Sequence, residues 1–216
     1  RSSDLTVKII SYDFESKPVS NNWSEAKYLQ FYVNNPNSTP LQLGNIQYYY
    51  AGSERPLKEG VEVSFCNADT RMWSTLVTKK MANTNYTGVE IPANTRGVVR
   101  IPLNADTYNK YNQNEMSAIE RVVMFVQMPG CSNPSYAYID DLGLIAGADN
   151  KFPELTDYEE TDEVQLNPGE KFKRITGFED DSVPYVSDAP AGTIWKDTEN
   201  VNSGNYSLAI KYTDGS

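Results

Sequence analysis

The sequence predicts an all-β protein built as a β-sandwich. Short runs in which apolar and polar residues alternate recur along most of its 216 residues, and such alternation is typical of half-buried strands. Turn signals such as Asn34-Asn35-Pro36-Asn37 separate the runs. Many short strands joined by turns of this kind favour a sandwich. Only Asn114 to Arg121 reads as a short helix.

The predicted strands follow one another from the N-terminal to the C-terminal part of the chain. They cover residues 5–9, 28–33, 43–50, 61–65, 73–77, 88–91, 98–103, 121–128, 136–145, 172–179 and 206–212. In the second of them, Leu29, Phe31 and Val33 alternate and predict the face that packs on the core. Residues 73–77 and 88–91 are expected to pair with each other. Residues 121–128 form the most apolar run and are expected to be central in a sheet.

The order of the segments divides the chain into three parts. Residues 138–145 read as the closing strand of a sandwich, yet residues 175–180, which read as an opening strand, come later. We therefore predict a sandwich body over 1–146, an acidic linker over 147–170, and opening strands over 171–216. Two strands are marginal alone, so the last part is expected to complete a body. It would do so in the same chain, as a permutation, or in a neighbour, as domain-swapped self-association.

Composition excludes several classes of function. The formal charge of −10 leaves no basic footprint for nucleic acid. The longest apolar runs fall far short of the ~20 residues that membrane insertion needs. The chain has no histidine, which removes Ser-His-Asp catalysis and the commonest zinc ligands. Cys66 and Cys131 fit either a disulfide in an exported protein or two inert thiols.

The abundance of aromatic residues points to ligand binding. The chain contains 15 Tyr, 7 Phe and 3 Trp, and flat rings with a few polar groups suit a sugar ligand. Trp73, close to Arg71, is the first candidate. The other candidate ligand-binding residues are Trp23, Trp195, Tyr48, Tyr50, Tyr32, Gln30 and Gln127. Each Trp fits a position at the rim of the core equally well, and strands favour Tyr in any case.

Several short motifs resemble those of a known family. They are Phe178-Glu179-Asp180, the Ser203-Gly204 turn, Trp23 followed by residues 28–35, and residues 138–142. Together they resemble the jelly-roll carbohydrate-binding modules of secreted bacterial proteins, over most of the chain outside the linker. The order of the segments departs from the pattern of that family. The resemblance implies a jelly-roll fold, a secreted or bacterial cell-surface location, a polysaccharide or oligosaccharide partner, and no catalysis.

The same resemblance implies a structural calcium ion. In that family calcium often lies where the first and last strands meet. Glu179 and Asp141 match the acidic positions, and Asp140 or Asp180 is a further candidate ligand. Calcium binds about six to eight oxygen atoms from carboxylates, carbonyls and water. Alternatively, these acids are solvent-facing strand residues or turn caps of a strongly acidic chain.

Three functions follow from the sequence, in descending order. The first is a non-catalytic carbohydrate-binding module, with starch, mannan, xylan and β-glucan all open as ligands. The second is a structural spacer or adhesin repeat of a bacterial cell-surface protein, which a tandem-repeat organisation supports equally well. The third is a jelly-roll glycan hydrolase or lyase. A hydrolase needs two convergent carboxylates, and Glu15, Glu62 and Glu90 are scattered acids without a supporting motif.

Overall fold

A computed structural model describes most of the chain. It covers residues 8–13, 22–50, 53–82, 84–132, 134–147, 169–179, 185–186 and 193–212. Within these ranges the protein is all-β, with two antiparallel sheets and one 3-10 helix, Gln113–Ser117. The predicted β-sandwich class is confirmed. In this part of the chain no helix is long and apolar enough to cross a membrane.

The described residues contain fifteen strands. In chain order they are β1 (Lys8–Asp13), β2 (Ala26–Asn35), β3 (Leu41–Tyr50), β4 (Ser53–Pro56), β5 (Glu62–Asn67), β6 (Trp73–Val77), β7 (Lys79–Lys80), β8 (Thr87–Ile91), β9 (Thr95–Pro102), β10 (Ile119–Gln127), β11 (Ser135–Ala146), β12 (Lys171–Thr176), β13 (Tyr185–Val186), β14 (Ile194–Asp197) and β15 (Ser207–Tyr212).

The strands form two sheets, and the chain passes from one sheet to the other several times. The first sheet has the order β13-β1-β10-β3-β8-β7, with β4 beside β3. The second has the order β14-β15-β11-β2-β9-β5-β6, with β12 beside β11. The most apolar run, residues 121–128, is confirmed as central in a sheet, because β10 lies between β1 and β3.

Two local predictions are wrong. Strands β6 and β8 do not pair with each other, because β6 pairs with β5 in the second sheet and β8 with β3 in the first. The helix predicted over residues 114–121 is a shorter 3-10 helix, and the chain is already extended from Ile119. Val122, Met124 and Val126 alternate into the core, and a register shift between Ile119 and Arg121 brings Ile119 to the same core, so β10 extends into the region that reads as helical.

One hydrophobic core lies between the two sheets. Leu29, Phe31 and Val33 of β2 belong to it, so their predicted core face is confirmed. The opposite face of the second sheet, here called its outer face, carries a small separate cluster that includes Tyr32 and Cys66. Both cysteines are free thiols.

The C-terminal segment pairs with the body of its own chain. Strand β15 pairs with residues 135–139 and β12 with residues 142–146, so the two strands share one edge of β11. Strand β13 adds to the other sheet, beside β1. The pairing described is therefore the same-chain alternative of the sequence analysis. Domain-swapped self-association stays a prediction.

Candidate functional site

Trp73 lies on the outer face of the second sheet, at its edge. It is the first residue of β6, which pairs with β5 alone among the described strands. Trp73 is opposite Cys66 in that pairing, and directly paired residues of antiparallel strands point to the same face. The side chain is 37% exposed. An indole ring on this face is therefore accessible to a ligand.

Trp73 lines an open depression together with Tyr28, Ser64 and Arg100, and we call these four residues the Trp73 platform. The depression has a volume of ≈ 220 Å³. The guanidinium carbon of Arg100 lies 4.7 Å from the centre of the Trp73 ring and 5.7 Å from that of Tyr28. Register explains the grouping, because Arg100 of β9 pairs with Ser64 of β5 on one side and with Gln30 of β2 on the other.

The charge of Arg100 is neutralised within the site. Its Nε donates a hydrogen bond to Gln30 Oε1 at 2.7 Å. Its Nη1 donates to both carboxylate oxygens of Glu170, at 3.1 and 3.2 Å. A buried guanidinium needs such a partner, because an unpaired buried charge is costly. The platform thus combines two aromatic rings, a hydroxyl and a paired guanidinium, which suits a neutral polar ligand with an apolar face.

Several predicted site residues lie near the platform or elsewhere on the surface. Gln30 is buried and supports Arg100 from below. Arg71 is exposed in the turn before β6, with a positive φ of 59°, and is not among the residues that line the depression. Trp195 lies on β14 at the opposite end of the sheet, edge-on to Tyr136 with ring centres 6.0 Å apart. Tyr50 is half-buried at the end of β3.

Besides Gln30, which is 1% exposed, four more predicted ligand-binding residues are buried, so for all five the predicted contact with a ligand is wrong. Trp23 and Tyr48 are 0% exposed and pack against each other with ring centres 5.9 Å apart. Tyr32 and Gln127 are also buried. Stacking on a sugar requires a ring face in contact with solvent, which the three aromatic residues lack, and a hydrogen bond to a sugar requires an accessible amide, which Gln127 lacks. The backbone N–H of Trp23 donates to the Met116 carbonyl, which holds the apparent loop residue inside.

The sequence analysis missed Arg100 as a site residue. The sequence feature that could have identified it is a single charged residue inside the apolar run from Val98 to Ile101. Alternation places Arg100 on the outer face with Val98, whereas Val99 and Ile101 join the core. A charge at that position of a central strand needs a buried partner, and this requirement could have marked Arg100 for attention.

The acidic pair Asp140-Asp141 forms a second polar cluster. The pairing of β11 with β2 shifts register between Asp140 and Gly143, and Asp141 has a positive φ of 47°. This bulge brings both carboxylates to the loop before β15. Asp140 accepts hydrogen bonds from the backbone N–H groups of Asn202 and Ser203, at 2.8 and 3.3 Å. Asp141 accepts from the Asn202 amide at 2.6 Å and from the Ser203 hydroxyl at 2.8 Å.

Glu179 holds the next part of the same loop. Its carboxylate accepts hydrogen bonds from the backbone N–H groups of Asn205 and Tyr206, at 2.9 and 2.8 Å. Among the residues that the structure describes, no three His, Cys, Asp or Glu side chains are arranged to hold a metal ion. Asp180 lies outside those residues. Asp140 and Asp141 therefore tie the C-terminal segment to the body by direct hydrogen bonds, and Glu179 braces the loop within that segment. The calcium ion stays a prediction.

Burial changes the chemistry of Asp140. It raises the pKa of this carboxyl group from 3.8 to about 7, and the charge of Asp141 acts in the same direction. The N–H donors of Asn202, Asp141 and Ser203 oppose the rise. Part of the Asp140 population is therefore protonated near neutral pH.

Comparison with known proteins adds no relative. No protein-family model matches the sequence, and neither the curated proteins nor the solved structures give a match.

Proposed function

We propose that this protein is a non-catalytic carbohydrate-binding module that holds a polysaccharide on the Trp73 platform. The observation that carries the proposal is a half-exposed indole beside an open depression shared with Tyr28 and Arg100. Sugar rings present C–H faces that pack on aromatic rings and hydroxyl groups that form hydrogen bonds. The platform offers both kinds of contact.

The charge of the platform favours a neutral glycan. Glu170 neutralises Arg100 through two hydrogen bonds, so the site has no excess positive charge to attract an acidic sugar. The formal charge of −10 acts against acidic polymers at longer range. Neutral polysaccharides such as glucans, mannans and xylans meet neither obstacle.

The finer features of the proposal come from the family resemblance. They are a jelly-roll topology with opening strands supplied by the C-terminal segment, a secreted or cell-surface location, and a stapling calcium ion. The edge of β11 that β12 and β15 share supports the first of these. The position of Asp141 and Glu179 against one loop supports the last.

Affinity gel electrophoresis with a panel of soluble polysaccharides tests the proposal. We expect at least one neutral glycan to retard the protein. Trp73→Ala should weaken this retention by about tenfold or more, since stacking is worth about 1.5 kcal/mol. Tyr86→Ala is the matched control, because Tyr86 is 40% exposed and packs on Phe125 in the other sheet. Equal retention of the wild type and Trp73→Ala would contradict the role of the platform.

A structural spacer or adhesin repeat is the second candidate. It is favoured by the burial of Trp23 and Tyr48, since a spacer uses its large aromatic residues to fill the core. This alternative predicts no retardation by any glycan in the panel. Release of reducing sugar from a retained glycan would contradict both candidates and indicate an enzyme.

A further inference from the structure

We infer that the Trp73 platform binds the end of a glycan chain and not an internal stretch that crosses the sheet. The inference rests on the proposed function, and it specifies which part of the polymer the site recognises. It follows from two walls on the outer face of the second sheet, one toward β11 and one toward Arg96 along β9, and from an opening at the sheet edge.

The first wall is the start of the C-terminal segment. The carboxylate of Glu170 lies on Arg100, and its side chain is only 12% exposed. Two residues later, the ring of Phe172 lies against Gly143, because a Cβ atom at Gly143 would be 2.3 Å from Phe172 Cε2. Gly143 pairs with Gln30, which pairs with Arg100. The outer face is therefore covered on the β11 side of the platform.

The second wall is an ion pair beside Trp73. Arg96 contacts Asp69 Oδ1 through Nη2 at 2.8 Å and through Nε at 3.2 Å, and it lies two residues before Val98, which pairs with Tyr32. Tyr32 is buried together with Cys66, which faces Trp73 in register. A sugar chain that continues from Trp73 toward Arg96 would have to pass over this ion pair, whose two side chains are about half-exposed.

On the side of β6 the platform opens at the edge of the sheet. Strand β6 ends the second sheet among the described strands, and Trp73 and Val77 at its two ends are both exposed. The depression of ≈ 220 Å³ is smaller than the ~300 Å³ at which sites for drug-sized ligands begin. A site of this size holds about one or two sugar rings, and the rest of the chain leaves past β6.

Isothermal titration calorimetry with oligosaccharides of increasing length tests the inference. The probes are malto-oligosaccharides and β-1,4-linked gluco-, manno- and xylo-oligosaccharides of one to six units. For the series that binds, we expect the affinity to change by less than about threefold between the disaccharide and the hexasaccharide. A gain of about tenfold or more over that interval, or retention of a polysaccharide without binding of any oligosaccharide, would overturn chain-end recognition alone. Absence of binding to every oligosaccharide and polysaccharide would overturn the proposed function as well.

Removal of the second wall gives an independent readout. Arg96 is about half-exposed in its pair with Asp69, so Arg96→Ala should fold normally and uncover Tyr32. We expect the variant to bind the hexasaccharide more tightly relative to the disaccharide. Lys79→Ala is the matched control, because Lys79 forms a similarly exposed pair with Glu90 in the other sheet. An unchanged ratio in Arg96→Ala would contradict the role of this ion pair as a wall.

Discussion

Trp23 and Trp73 show how the surroundings of a single residue decide its role. Trp23 is 0% exposed and packs on Tyr48, which in turn packs on Tyr108 with ring centres 4.8 Å apart. Trp73 has one side in solvent. The same residue type thus fills the core in one place and lines an open surface depression in the other.

Replacement of each Trp should separate stability from binding. We expect Trp23→Ala to lower the free energy of unfolding by about 3–5 kcal/mol, because the lost ring leaves a cavity. Trp73→Ala should lower it by less than about 1 kcal/mol, as for an exposed side chain. Urea denaturation followed by circular dichroism measures both. Similar losses in the two variants would show that Trp73 is a core residue.

The buried carboxyl group of Asp140 should make stability depend on pH. Its pKa of about 7 in the folded protein exceeds the 3.8 of the unfolded chain, so between these values the folded state binds the extra proton. Stability from this group therefore falls as pH rises from about 4 to about 7, by at most about 4 kcal/mol. We expect a higher melting temperature at pH 5 than at pH 8 in buffer with EDTA. Asp140→Asn should flatten that difference, and an equal slope in the variant would contradict the assignment to Asp140.

The same measurement tests the calcium prediction. A cation at Asp140, Asp141 and Glu179 would favour the ionised carboxylates. Added calcium should then raise the melting temperature at pH 8 in the wild type and not in Glu179→Gln. The absence of any calcium effect would leave the loop held by hydrogen bonds alone.

At the scale of the elements, Gly143 controls the contact between β11 and β12. A Cβ atom there would lie 2.3 Å from the Phe172 ring and 2.4 Å from the backbone carbonyl oxygen of Lys173. We expect Gly143→Ala to push β12 away and to lower the free energy of unfolding by roughly 1–3 kcal/mol. Chemical denaturation measures the loss.

Gly177, directly after β12, provides the control. A Cβ atom at Gly177 would lie 3.2 Å from Arg174 Cδ, at a flexible side chain. Gly177→Ala should therefore cost much less than Gly143→Ala. Equal losses would show that the close approach at Gly143 does not determine how β12 packs.

Alternation in the sequence predicts individual strands better than their partners. It identifies the core face of β2 because Leu29, Phe31 and Val33 repeat with the period of a strand. It does not reveal that β6 and β8 lie in different sheets, because the period of the alternation carries no information about which strands pair with each other. It also places Trp195 in a loop, whereas the residue belongs to β14, a strand of four residues that is too short for a clear pattern.

The site is predictable only in part for the same reason. Trp73 stands out as an aromatic residue beside a loop, and the sequence analysis ranks it first. Arg100 and Ser64 join it through the register of β9, β5 and β6, and register depends on contacts between residues that are distant in the chain. Trp23 is misassigned because nothing in its local sequence reveals the carbonyl of Met116 that anchors it.

At the scale of the whole molecule, pairing within one chain predicts a monomer. Strands β12 and β15 occupy the edge of β11, so that edge is not available to another copy. We expect light scattering after gel filtration to give a mass near 24.3 kDa. A species of twice this mass that converts to monomer after unfolding and refolding at low concentration would indicate exchange of the C-terminal segment.

The shared edge of β11 also determines when the nascent chain can complete its second sheet during translation. Strand β11 is complete at Ala146, but its partner β15 ends at Tyr212. Until translation reaches that point, the nascent protein carries a strand edge with half of its hydrogen bonds unmet, and such edges recruit other chains. A chain truncated between Ala146 and Tyr212 would keep this unpaired strand edge and would tend to aggregate. Closure of the sheet therefore waits until β15 has been synthesised.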